Sequence, residues 1–542
     1  MLAPKSIALT LCLAMVLVRF IWQSPICQLD TETCECRDLV QIIFIQCTKR
    51  FIAYKIFNLT ALYYTGPLSY KSQDKCIELT IQYKSYGKLT KSLPTNLTRL
   101  ITNLILSDNK ISHLQANAFE SLIRLEKLYL QRNVIVYIDP SAFSRLINLN
   151  VHLYLYSNRI KIIKNGTFAS LGILKELDLH ENLIEKIEKD GMRPLTGLIY
   201  LNLETNMLSF IEKDTFAYLE NLKVLNLNIN KITQIETGSF KCLKSLVSLQ
   251  LKSNELTRIQ CGIFDYLTNL EVINLESNQI EYIETGAFKL VGQRYSLSLV
   301  LNSNKLSVIE YGMFSNLTNL VNLHLADNQI DYIDSNAFDG TLSLINLNFW
   351  SNRLKEIKSG TFCYLDYLIQ IVIYENEISA LEKNSFNHMD KLQTLRITSN
   401  QIRVLLNETF MNLYALEELH LNQNSIEEIE MNSFKNIPRL KRLNLFLNKL
   451  QTVKRGVFNN LTSLTILRLD KNEIKIIETD SFLHSEKLIS LDLHSNNLNE
   501  LKKGMFNGLI GLTELDLSQN KICNVEKNSF NELTSLKLLN LD

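Results

Sequence analysis

The stretch LEKLYLQRN at residues 125–133 carries the pattern that decides the fold. It is one copy of LxxLxLxxNxI, which recurs eighteen times, usually with 24 residues from one asparagine to the next. One extra residue enters before the third asparagine and two enter before the ninth. A fixed period of this length indicates a solenoid of stacked units, because no single unit can bury its apolar side alone. The asparagines are Asn109, Asn133, Asn158, Asn182, Asn206, Asn230, Asn254, Asn278, Asn304, Asn328, Asn352, Asn376, Asn400, Asn424, Asn448, Asn472, Asn496 and Asn520.

The residues before each asparagine predict a short strand. In the quoted copy Leu128 and Leu130 alternate with Tyr129 and Gln131, and this period of two is that of a β-strand with one buried face. Strands that recur in register must lie parallel. We therefore predict an α/β solenoid with one long parallel sheet on its concave face and short helical or extended turns on its convex side.

The repeated asparagines and phenylalanines have structural roles in this scheme. A side-chain amide inside a stack is costly unless its donors and its acceptor are satisfied. We therefore expect the asparagines to form a ladder that bonds the turn backbones of neighbouring repeats. Ten residues after the asparagine stands a phenylalanine in seventeen of eighteen repeats, with Met192 as the exception. These rings should form a second stack on the other side of the core.

Composition restricts the function. The 542 residues include 57 basic and 56 acidic side chains, for a net charge of +1, which argues against nucleic acid or an anionic membrane as the main partner. The sequence contains no G-x-S-x-G elbow, Gly-rich phosphate loop or H-E-x-x-H motif. We predict that the protein is not an enzyme and uses no cofactor, no metal and no small-molecule substrate.

The N-terminus predicts export. Lys5 and the apolar run at residues 7–18 are typical of a signal peptide, which we place at residues 1–24. A short membrane anchor extended through Trp22 is the alternative, although the run is too short to span a bilayer by itself.

A cysteine cluster with the spacing C-x6-C-x-C-x10-C follows the leader at Cys27, Cys34, Cys36 and Cys47. Four cysteines so close together after a signal sequence indicate disulfides formed in an oxidising compartment, with a zinc site as the less favoured alternative. Spacing alone does not decide their connectivity. Later cysteines make an odd total of nine in the mature chain, and we expect free, buried thiols among them. They are Cys76, Cys242, Cys261, Cys363 and Cys523.

Six N-glycosylation sequons fit an exported protein. None is a ladder asparagine, and those inside the repeats fall outside the strand pattern, where a sugar would be tolerated. They are Asn58, Asn96, Asn165, Asn316, Asn407 and Asn460.

The cysteine cluster, the Leu93–Pro94 pair before the first repeat and the unit LxxLxLxxNxIxxIxxxxFxxLxxL together resemble the typical extracellular leucine-rich-repeat superfamily. That superfamily includes small matrix proteoglycans, axon-guidance and adhesion molecules, and Toll-like receptor ectodomains. The resemblance covers about residues 27–542 and implies a cysteine-rich N-terminal cap, with Cys27 paired to Cys36 and Cys34 to Cys47. The repeat is specific for the fold and says little about the ligand.

Domain boundaries follow from these features. We place the cap and a tyrosine-rich irregular segment at residues 25–92, and a solenoid of about 18 repeats at residues 93–542. The sequence stops at LKLLNLD, before the asparagine of a further repeat and without a second cysteine cap. An uncapped strand edge leads us to expect a truncated gene model, a capping partner or a homodimer.

Outward strand positions are the candidate contact residues, because the leucines between them are committed to the core. Aromatic and arginine side chains there are typical of binding hot spots. The alternative is that the rings only stack across strands and stabilise the sheet. The acidic residues Glu176, Asp178 and Glu181 could bind a cation or a basic partner, or could be a solvated face. The partner-binding candidates are Tyr129, Tyr154 and Tyr156 near Arg132, then Trp350, Tyr374 and Arg396, and finally Phe446 with Arg442 and Arg468.

The sequence therefore predicts a secreted scaffold that recognises a protein ligand or cell-surface receptor through its concave sheet, in adhesion, matrix organisation or ligand capture. One alternative is the ectodomain of a signalling or innate-immune receptor whose membrane segment is missing. Another is a non-catalytic subunit of a secreted enzyme complex.

Overall fold

The computed structural model describes residues 101–542 except Tyr364 and Asn460, together with the backbone of four earlier strands. These strands are β1 (Val40–Cys47), β2 (Arg50–Phe57), β3 (Ile77–Gln82) and β4 (Gly87–Leu89). The predicted leader, the side chains of the cysteine cluster, Cys76 and the sequons Asn58, Asn96 and Asn460 lie outside the described residues. The chain divides into unit 1, Met1–Ile160 with Gly166–Leu174, and unit 2, Lys161–Asn165 with Lys175–Asp542.

Unit 1 contains both antiparallel and parallel strand pairs. Strand β1 pairs antiparallel with β2 and β3, and β3 pairs parallel with the first strand of the repeats. From there on, the strands before successive ladder asparagines pair parallel. The remaining strands of unit 1 are β5 (Ile101–Ile105), β6 (Ile111–Leu114), β7 (Lys127–Tyr129), β8 (Tyr137–Ile138) and β9 (His152–Tyr154).

In unit 2 the odd-numbered strands form one parallel main sheet, with each strand paired in register to the strand of the next repeat. The main strands are β11 (Glu176–Asp178), β13 (Tyr200–Asn202), β15 (Val224–Asn226), β17 (Ser248–Gln250), β19 (Val272–Asn274), β21 (Leu297–Val300), β23 (Leu320–His324), β25 (Asn346–Asn348), β27 (Gln370–Val372), β29 (Thr394–Arg396), β31 (Glu418–His420), β33 (Arg442–Asn444), β35 (Ile466–Arg468), β37 (Ser490–Asp492), β39 (Glu514–Asp516) and β41 (Leu538–Asn540).

The even-numbered strands lie a few residues after each ladder asparagine, and we refer to them as the flank. They are β10 (Ile162–Ile163), β12 (Lys186–Ile187), β14 (Phe210–Ile211), β16 (Gln234–Ile235), β18 (Arg258–Ile259), β20 (Tyr282–Ile283), β22 (Val308–Ile309), β24 (Tyr332–Ile333), β26 (Glu356–Ile357), β28 (Ala380–Leu381), β30 (Val404–Leu405), β32 (Glu428–Ile429), β34 (Thr452–Val453), β36 (Ile476–Ile477), β38 (Glu500–Leu501) and β40 (Asn524–Val525).

The predicted solenoid with its parallel sheet is confirmed. Of the two forms predicted for the convex side, helical or extended turns, the described residues show turns and contain no helix. The return segments are chains of turns. Leu243 donates its backbone N–H to the Phe240 carbonyl, and Leu246 donates to Leu243. This three-residue spacing turns Phe240, Leu243 and Leu246 inward without an α-helical turn. Within the described part of the chain, no helix has the length and apolarity needed to cross a membrane.

The asparagine ladder forms as predicted. Asn254 donates from its side-chain amide to the carbonyls of Leu227 and Leu251 at 3.0 and 3.1 Å, and its Oδ1 accepts the Ile232 backbone N–H at 3.0 Å. The residue before each ladder asparagine has a positive φ, including the β-branched Ile229 at 51°. The ladder therefore holds a turn that an ordinary side chain disfavours.

The phenylalanines form the expected second stack in the core. Neighbouring rings lie nearly parallel, for example Phe434 and Phe458 at 6.3 Å and 12°, and Phe458 and Phe482 at 5.9 Å and 3°. All three rings are almost completely buried. Their contribution is hydrophobic burial together with ring contact between repeats.

The two extra residues before Asn304 are absorbed in the return segment. Gly292 has φ +58, and a Cβ there would lie 3.0 Å from the Leu270 carbonyl oxygen. The ladder continues without interruption, since Asn304 still bonds the Leu275 and Leu301 carbonyls at 3.0 Å.

The flank has a longer period than the ladder. In unit 2 its strands pair two by two, β10 with β12, β14 with β16 and so on to β38 with β40, with no strand pairing between successive pairs. The residue before the core Phe or Met follows the same alternation. It is always Gly, Ser or Ala in the second coil of a pair and Thr, Ile, Met or Val in the first.

Steric size explains the alternation. In the second coil the small residue lies against the carbonyl of the preceding flank strand: Ser433 Oγ donates to Leu405 at 2.9 Å, and Ser481 Oγ to Val453 at 3.0 Å. A Cβ on Gly191 would lie 3.2 Å from the Ile163 carbonyl oxygen. A larger side chain holds the coils apart. In unit 1, Ala118 and Ala142 are both small, and β4, β6 and β8 pair without a break.

Candidate functional site

The sheet face is the set of side chains six, four and two residues before each ladder asparagine. They point away from the leucine core because side chains alternate along a strand. In the repeat of Asn352, for example, they are Asn346, Asn348 and Trp350, while Leu347 and Phe349 are buried. The side chains of this face form regularly spaced rows, and such rows are the surface that a solenoid presents to a binding partner.

Trp350 and Tyr374 form a stacked aromatic pair on the sheet face, in which Trp350 is exposed and Tyr374 is half-buried. They occupy equivalent positions in adjacent repeats, with ring centroids 5.4 Å apart and planes inclined by 21°. The Trp350 indole N–H donates to Glu375 Oε2 at 2.8 Å, and Trp350 keeps 38% of its surface exposed. The pair is therefore both ordered and accessible, as a contact residue must be.

Apart from Glu375 in the adjacent turn, the side chains around this pair on the sheet face are uncharged. From β21 to β27, sheet-face positions carry no Asp, Glu, Lys or Arg. Burial lowers the pKa of His324 below its usual value, so this histidine is neutral at pH 7. The amide of Asn346 donates to Asn322 at 2.7 Å. Desolvation of this stretch by a partner is therefore cheaper than that of charged neighbours.

A strip with positive charge begins one strand further on. Arg396 on β29 is exposed, and within the described residues it has no carboxylate within 4 Å. His420 lies opposite it on β31, with its ring held between the Asn444 amide at 2.8 Å and Glu418 at 3.3 Å. Glu418 also binds Arg442 at 2.6 Å. Burial, the largest cause, and the nearby arginines lower the pKa of His420, although Glu418 opposes them.

In the predicted group around Phe446, the aromatic and charged side chains contact one another. Arg468 lies over the Phe446 ring at 4.3 Å and forms two 3.0 Å hydrogen bonds to the fully buried carboxylate of Asp470. Asp492 binds His494 at 2.7 Å. Burial raises the pKa of Asp470, with Arg468 acting in the opposite direction.

Asp470, Asp492 and His494 bring potential metal-ligand atoms within 4.8 Å of one another. Arg468 already supplies the positive charge there, 3.0 Å from Asp470 and 3.7 Å from Asp492. A metal ion would have to displace the guanidinium, so the cluster is better explained as a structural ion pair.

Unit 1 presents the predicted tyrosines as one contiguous half-buried cluster. Tyr129 and Tyr154 meet edge to face at 5.4 Å, and Tyr156 lies 6.1 Å from Tyr154. His152 packs on Tyr154 at 5.2 Å, while Arg132 pairs with Asp108 at 3.5 Å. These rings stabilise one another, as cross-strand aromatic pairs do, and their exposed edges remain available for contact.

Of the acidic trio, Glu176 and Asp178 lie on β11 and Glu181 in the turn before Asn182. Asp178 accepts a 2.7 Å hydrogen bond from the His180 ring. The carboxylates of Asp178 and Glu176, after burial as the main cause, raise the pKa of the neighbouring Tyr200. Two residues of the trio, Glu176 and Asp178, thus form a negative surface around Tyr200 together with Glu204.

The four described cysteines are free, as expected, but the prediction of buried thiols is wrong. Cys261 and Cys523 are exposed, and Cys242 and Cys363 are half-buried. They lie in turns and on the flank, where side chains are not committed to the core. Of the described sequons, Asn165 and Asn316 are exposed, whereas the Asn407 side-chain oxygen is buried without a hydrogen-bond partner.

Sequence reasoning missed Glu418, His420 and Asp470 as determinants of this surface. A usable signal was present: Glu418 and Arg442 are 24 residues apart, so opposite charges occupy one position in adjacent repeats. The pairing of Arg468 with Asp470, two residues along one chain, depends on burial that spacing does not show.

Two family models match the chain. The model described as leucine rich repeat matches residues 99–151, 151–208, 197–256 and 245–291, and the model described as BspA type leucine rich repeat region matches residues 292–417 and 403–537. A 113-residue stretch is 32% identical to podocan of Mus musculus, covering 20% of this chain and 18% of podocan.

Solved structures share the fold. The Toll receptor in its Drosophila complex with Spatzle has a TM-score of 0.64 and 19% identity, over 85% of this chain and 68% of that one. The plant peptide hormone receptor RGFR1, solved with RGF2, has a TM-score of 0.51 and 19% identity, over 85% and 91%. A leucine-rich-repeat protein of Leptospira interrogans has a TM-score of 0.51 and 23% identity, over 83% and 99%. Identities this low show the fold alone.

Proposed function

Since the chain belongs to the leucine-rich-repeat superfamily, we propose that it is an extracellular scaffold that captures a protein partner on its sheet face. The observation that carries this proposal is the stacked Trp350–Tyr374 pair, whose Trp350 is exposed, on the stretch from β21 to β27 without charged sheet-face positions. A rigid parallel sheet loses little conformational freedom on binding, so its contacts convert efficiently into affinity. The Tyr129–Tyr154–Tyr156 cluster of unit 1 is a second contact surface in this proposal.

Solved relatives by fold support a protein as the partner, since Toll was solved with Spatzle and RGFR1 with the peptide RGF2. The local chemistry supports it as well. A stacked Trp and Tyr offer large, stiff, amphipathic contact area, which is what interface hot spots use. Recognition of this kind needs no catalytic group, and we propose no enzymatic activity.

Export is part of the proposal. The leader at residues 1–24, the cysteine cluster and the sequons all suit the secretory pathway. Asn165 and Asn316 are exposed in return turns, so sugars there would leave the sheet face uncovered. Digestion of the secreted protein with an N-glycosidase should lower its mass, and an unchanged mass would contradict this part of the proposal.

The partner is best sought by screening a displayed library of extracellular domains. We expect at least one domain to bind the wild type and to lose affinity at least tenfold, about 1.4 kcal/mol, when Trp350→Ala and Tyr374→Ala are combined. The matched control is Tyr282→Ala with Tyr332→Ala, which removes two exposed tyrosines from the flank.

Both double variants must keep the wild-type circular dichroism spectrum. If every bound domain tolerates the Trp350 and Tyr374 change, the sheet face at β25 and β27 is not the contact surface. The tyrosine-rich segment at residues 48–92 would then be tested in the same way.

A further inference from the structure

Arg396 differs from the other arginines of the sheet face. On that face Arg442 has Glu418 at 2.6 Å and Arg468 has Asp470 at 3.0 Å. In the turn before Asn133, Arg132 has Asp108 at 3.5 Å. Arg396 is exposed on β29. Among the described residues, no hydrogen-bond acceptor, carboxylate or aromatic ring contacts its guanidinium group. Arg442 and Arg468 are neutralised by their own chain, so Arg396 is the one arginine of the sheet face, within the described residues, whose charge has no partner.

The position of Arg396 connects two kinds of surface. On one side are the uncharged strands that carry Trp350 and Tyr374, with Val372 directly paired to Arg396 in the sheet. On the other side lie His420 and then Arg442 on the next two strands. An apolar contact point and a lone cation therefore stand side by side, one strand apart.

We propose that the Trp350–Tyr374–Arg396–His420 surface binds an acidic segment of the protein partner. A carboxylate of that segment pairs with Arg396 beside His420, and a neighbouring aromatic or aliphatic side chain packs on the Trp350–Tyr374 pair. This inference rests on the proposed function and names the chemistry of its ligand.

Charge complementarity favours a protein segment over a sulfated polysaccharide. A polyanion needs a row of free cations, but Arg442 and Arg468 already bind Glu418 and Asp470. Further along the sheet the face turns acidic at Asp492 and Asp516. One carboxylate beside one apolar side chain matches a single free arginine beside an aromatic pair.

His420 gives this surface a pH dependence. The groups facing it are Glu418 on its own strand, Arg396 on β29, and Arg442 and Asn444 on β33. In the free protein its pKa lies below the usual value, so the ring is neutral at pH 7. A carboxylate arriving beside the ring raises that pKa, and the complex takes up a proton. Affinity therefore rises as pH falls from 7.5 towards 5.5, where the ligand carboxylate is still ionised.

The test is a selection of random linear peptides on the whole chain, counter-selected against the combined Trp350→Ala and Tyr374→Ala variant. We expect the recovered peptides to contain Asp or Glu next to an aromatic or aliphatic residue. Arg396→Ala should weaken the affinity of these peptides about tenfold, and Asp→Asn or Glu→Gln in the peptide should have the same effect. When the two changes are combined, the loss should be no larger than for Arg396→Ala alone. Arg403→Ala, at an exposed arginine directly before flank strand β30, is the matched control and should have no effect.

The pH profile supplies a second readout. His420→Gln should remove an affinity gain of about threefold between pH 7.5 and 5.5. His324→Gln should leave it, because His324 occupies the equivalent strand position and has Glu276 as its charged neighbour, with no arginine beside it.

Recovered peptides that lack Asp and Glu, and whose affinity is unchanged by Arg396→Ala, would overturn this inference. The proposed function would still stand. Binding of a heparin tetrasaccharide that depends on Arg396, when acidic peptides fail to bind, would overturn the choice of a protein ligand. If the selection yields no peptide that depends on Trp350 and Tyr374, both the inference and the proposed contact surface fall.

Discussion

The two sides of each coil in unit 2 follow different periods. On the ladder side every repeat is equivalent, since each asparagine bonds the same carbonyls of its own and the preceding turn. On the flank the repeats alternate, and only every second gap between coils is closed by strand pairing. The comparison shows that one backbone pattern can carry a 24-residue period in its core and a 48-residue period at its edge.

The physical difference is what each side bonds with. The ladder uses a side-chain amide that donates and accepts at once, so it satisfies both neighbours in every repeat. The flank uses backbone groups, which pair only where the coils approach closely. The second coil of most pairs adds a carboxylate: Glu430 accepts the Asn407 backbone N–H at 2.8 Å, and Glu478 accepts that of Arg455 at 2.7 Å.

The ladder should be the more sensitive side. Asn400→Ala leaves the buried backbone N–H of Ile378 without its partner and removes one of two amide donors from the Ile373 carbonyl, which keeps Asn376. The cost should be about 3 kcal/mol in the free energy of unfolding. Asn269→Ala removes an exposed amide that donates to the Lys244 carbonyl and should cost less than about 0.5 kcal/mol. Urea denaturation followed by circular dichroism measures both, and equal losses would remove the distinction.

Size at the residue before the core Phe should control flank pairing. Ser433→Met overfills a closed gap and should cost about 2 kcal/mol, with faster hydrogen exchange of the Glu430 amide, which bonds the Leu405 carbonyl. Val457→Met is the matched control, because Met313 and Met505 occupy the equivalent position in first coils. If Val457→Met were as harmful as Ser433→Met, side-chain size would not explain the alternation.

The flank carboxylate of the second coil should contribute less to the free energy of unfolding than side-chain size does. Glu430→Ala removes a charge-assisted hydrogen bond to the Asn407 N–H and should lower the free energy of unfolding by about 1 kcal/mol. In the β22–β24 pair, Asp334 occupies the position of Glu430 and does not form the hydrogen bond to the preceding coil. A longer side chain there should therefore have the opposite effect. Asp334→Glu should recover about 0.5 kcal/mol. Destabilisation by Asp334→Glu would show that the carboxylate does not hold the coils together.

The smallest expected effect lies at the ladder turn. Ile229 has a φ of 51° and is 48% exposed, and asparagine adopts that conformation more easily than a β-branched residue. Ile229→Asn should therefore raise the free energy of unfolding by about 1 kcal/mol or less. Ile476→Asn, at an exposed isoleucine of the flank with ordinary φ, should give no gain. A stabilisation of the same size at both positions would mean that backbone strain is not the cause.

Much of the fold followed from residue spacing. The strand before each asparagine, the amide ladder and the phenylalanine stack were predicted, because a 24-residue period repeats the same contact many times. The convex turns were predicted as helical or extended, and the three-residue spacing of Phe240, Leu243 and Leu246 should have favoured turns. The 48-residue alternation is also visible in the sequence, as small and large residues before the core Phe or Met, but it is hidden by the stronger 24-residue pattern.

The candidate surface was less predictable. Trp350 and Tyr374 were placed correctly on one face because equivalent positions in adjacent repeats must be neighbours. Phe446 was grouped with Arg442 and Arg468 as a contact surface, yet Arg468 covers the ring and binds Asp470. The pairing of Arg442 with Glu418 could be inferred from their 24-residue spacing. The pairing of Arg468 with Asp470 depends on rotamers and on the burial of the carboxylate, which spacing does not show.

The sequence by itself determined the period, the core and the identity of the outward side chains, since periodic burial of apolar residues leaves one arrangement of each coil. Only the tertiary structure decided which outward charges are satisfied within the chain and which face solvent. Arg396 and Arg468 occupy the same position of their repeats in the sequence. They differ in the structure because an ion pair requires two side chains to meet at hydrogen-bonding distance, and only the packing of neighbouring coils fixes that distance.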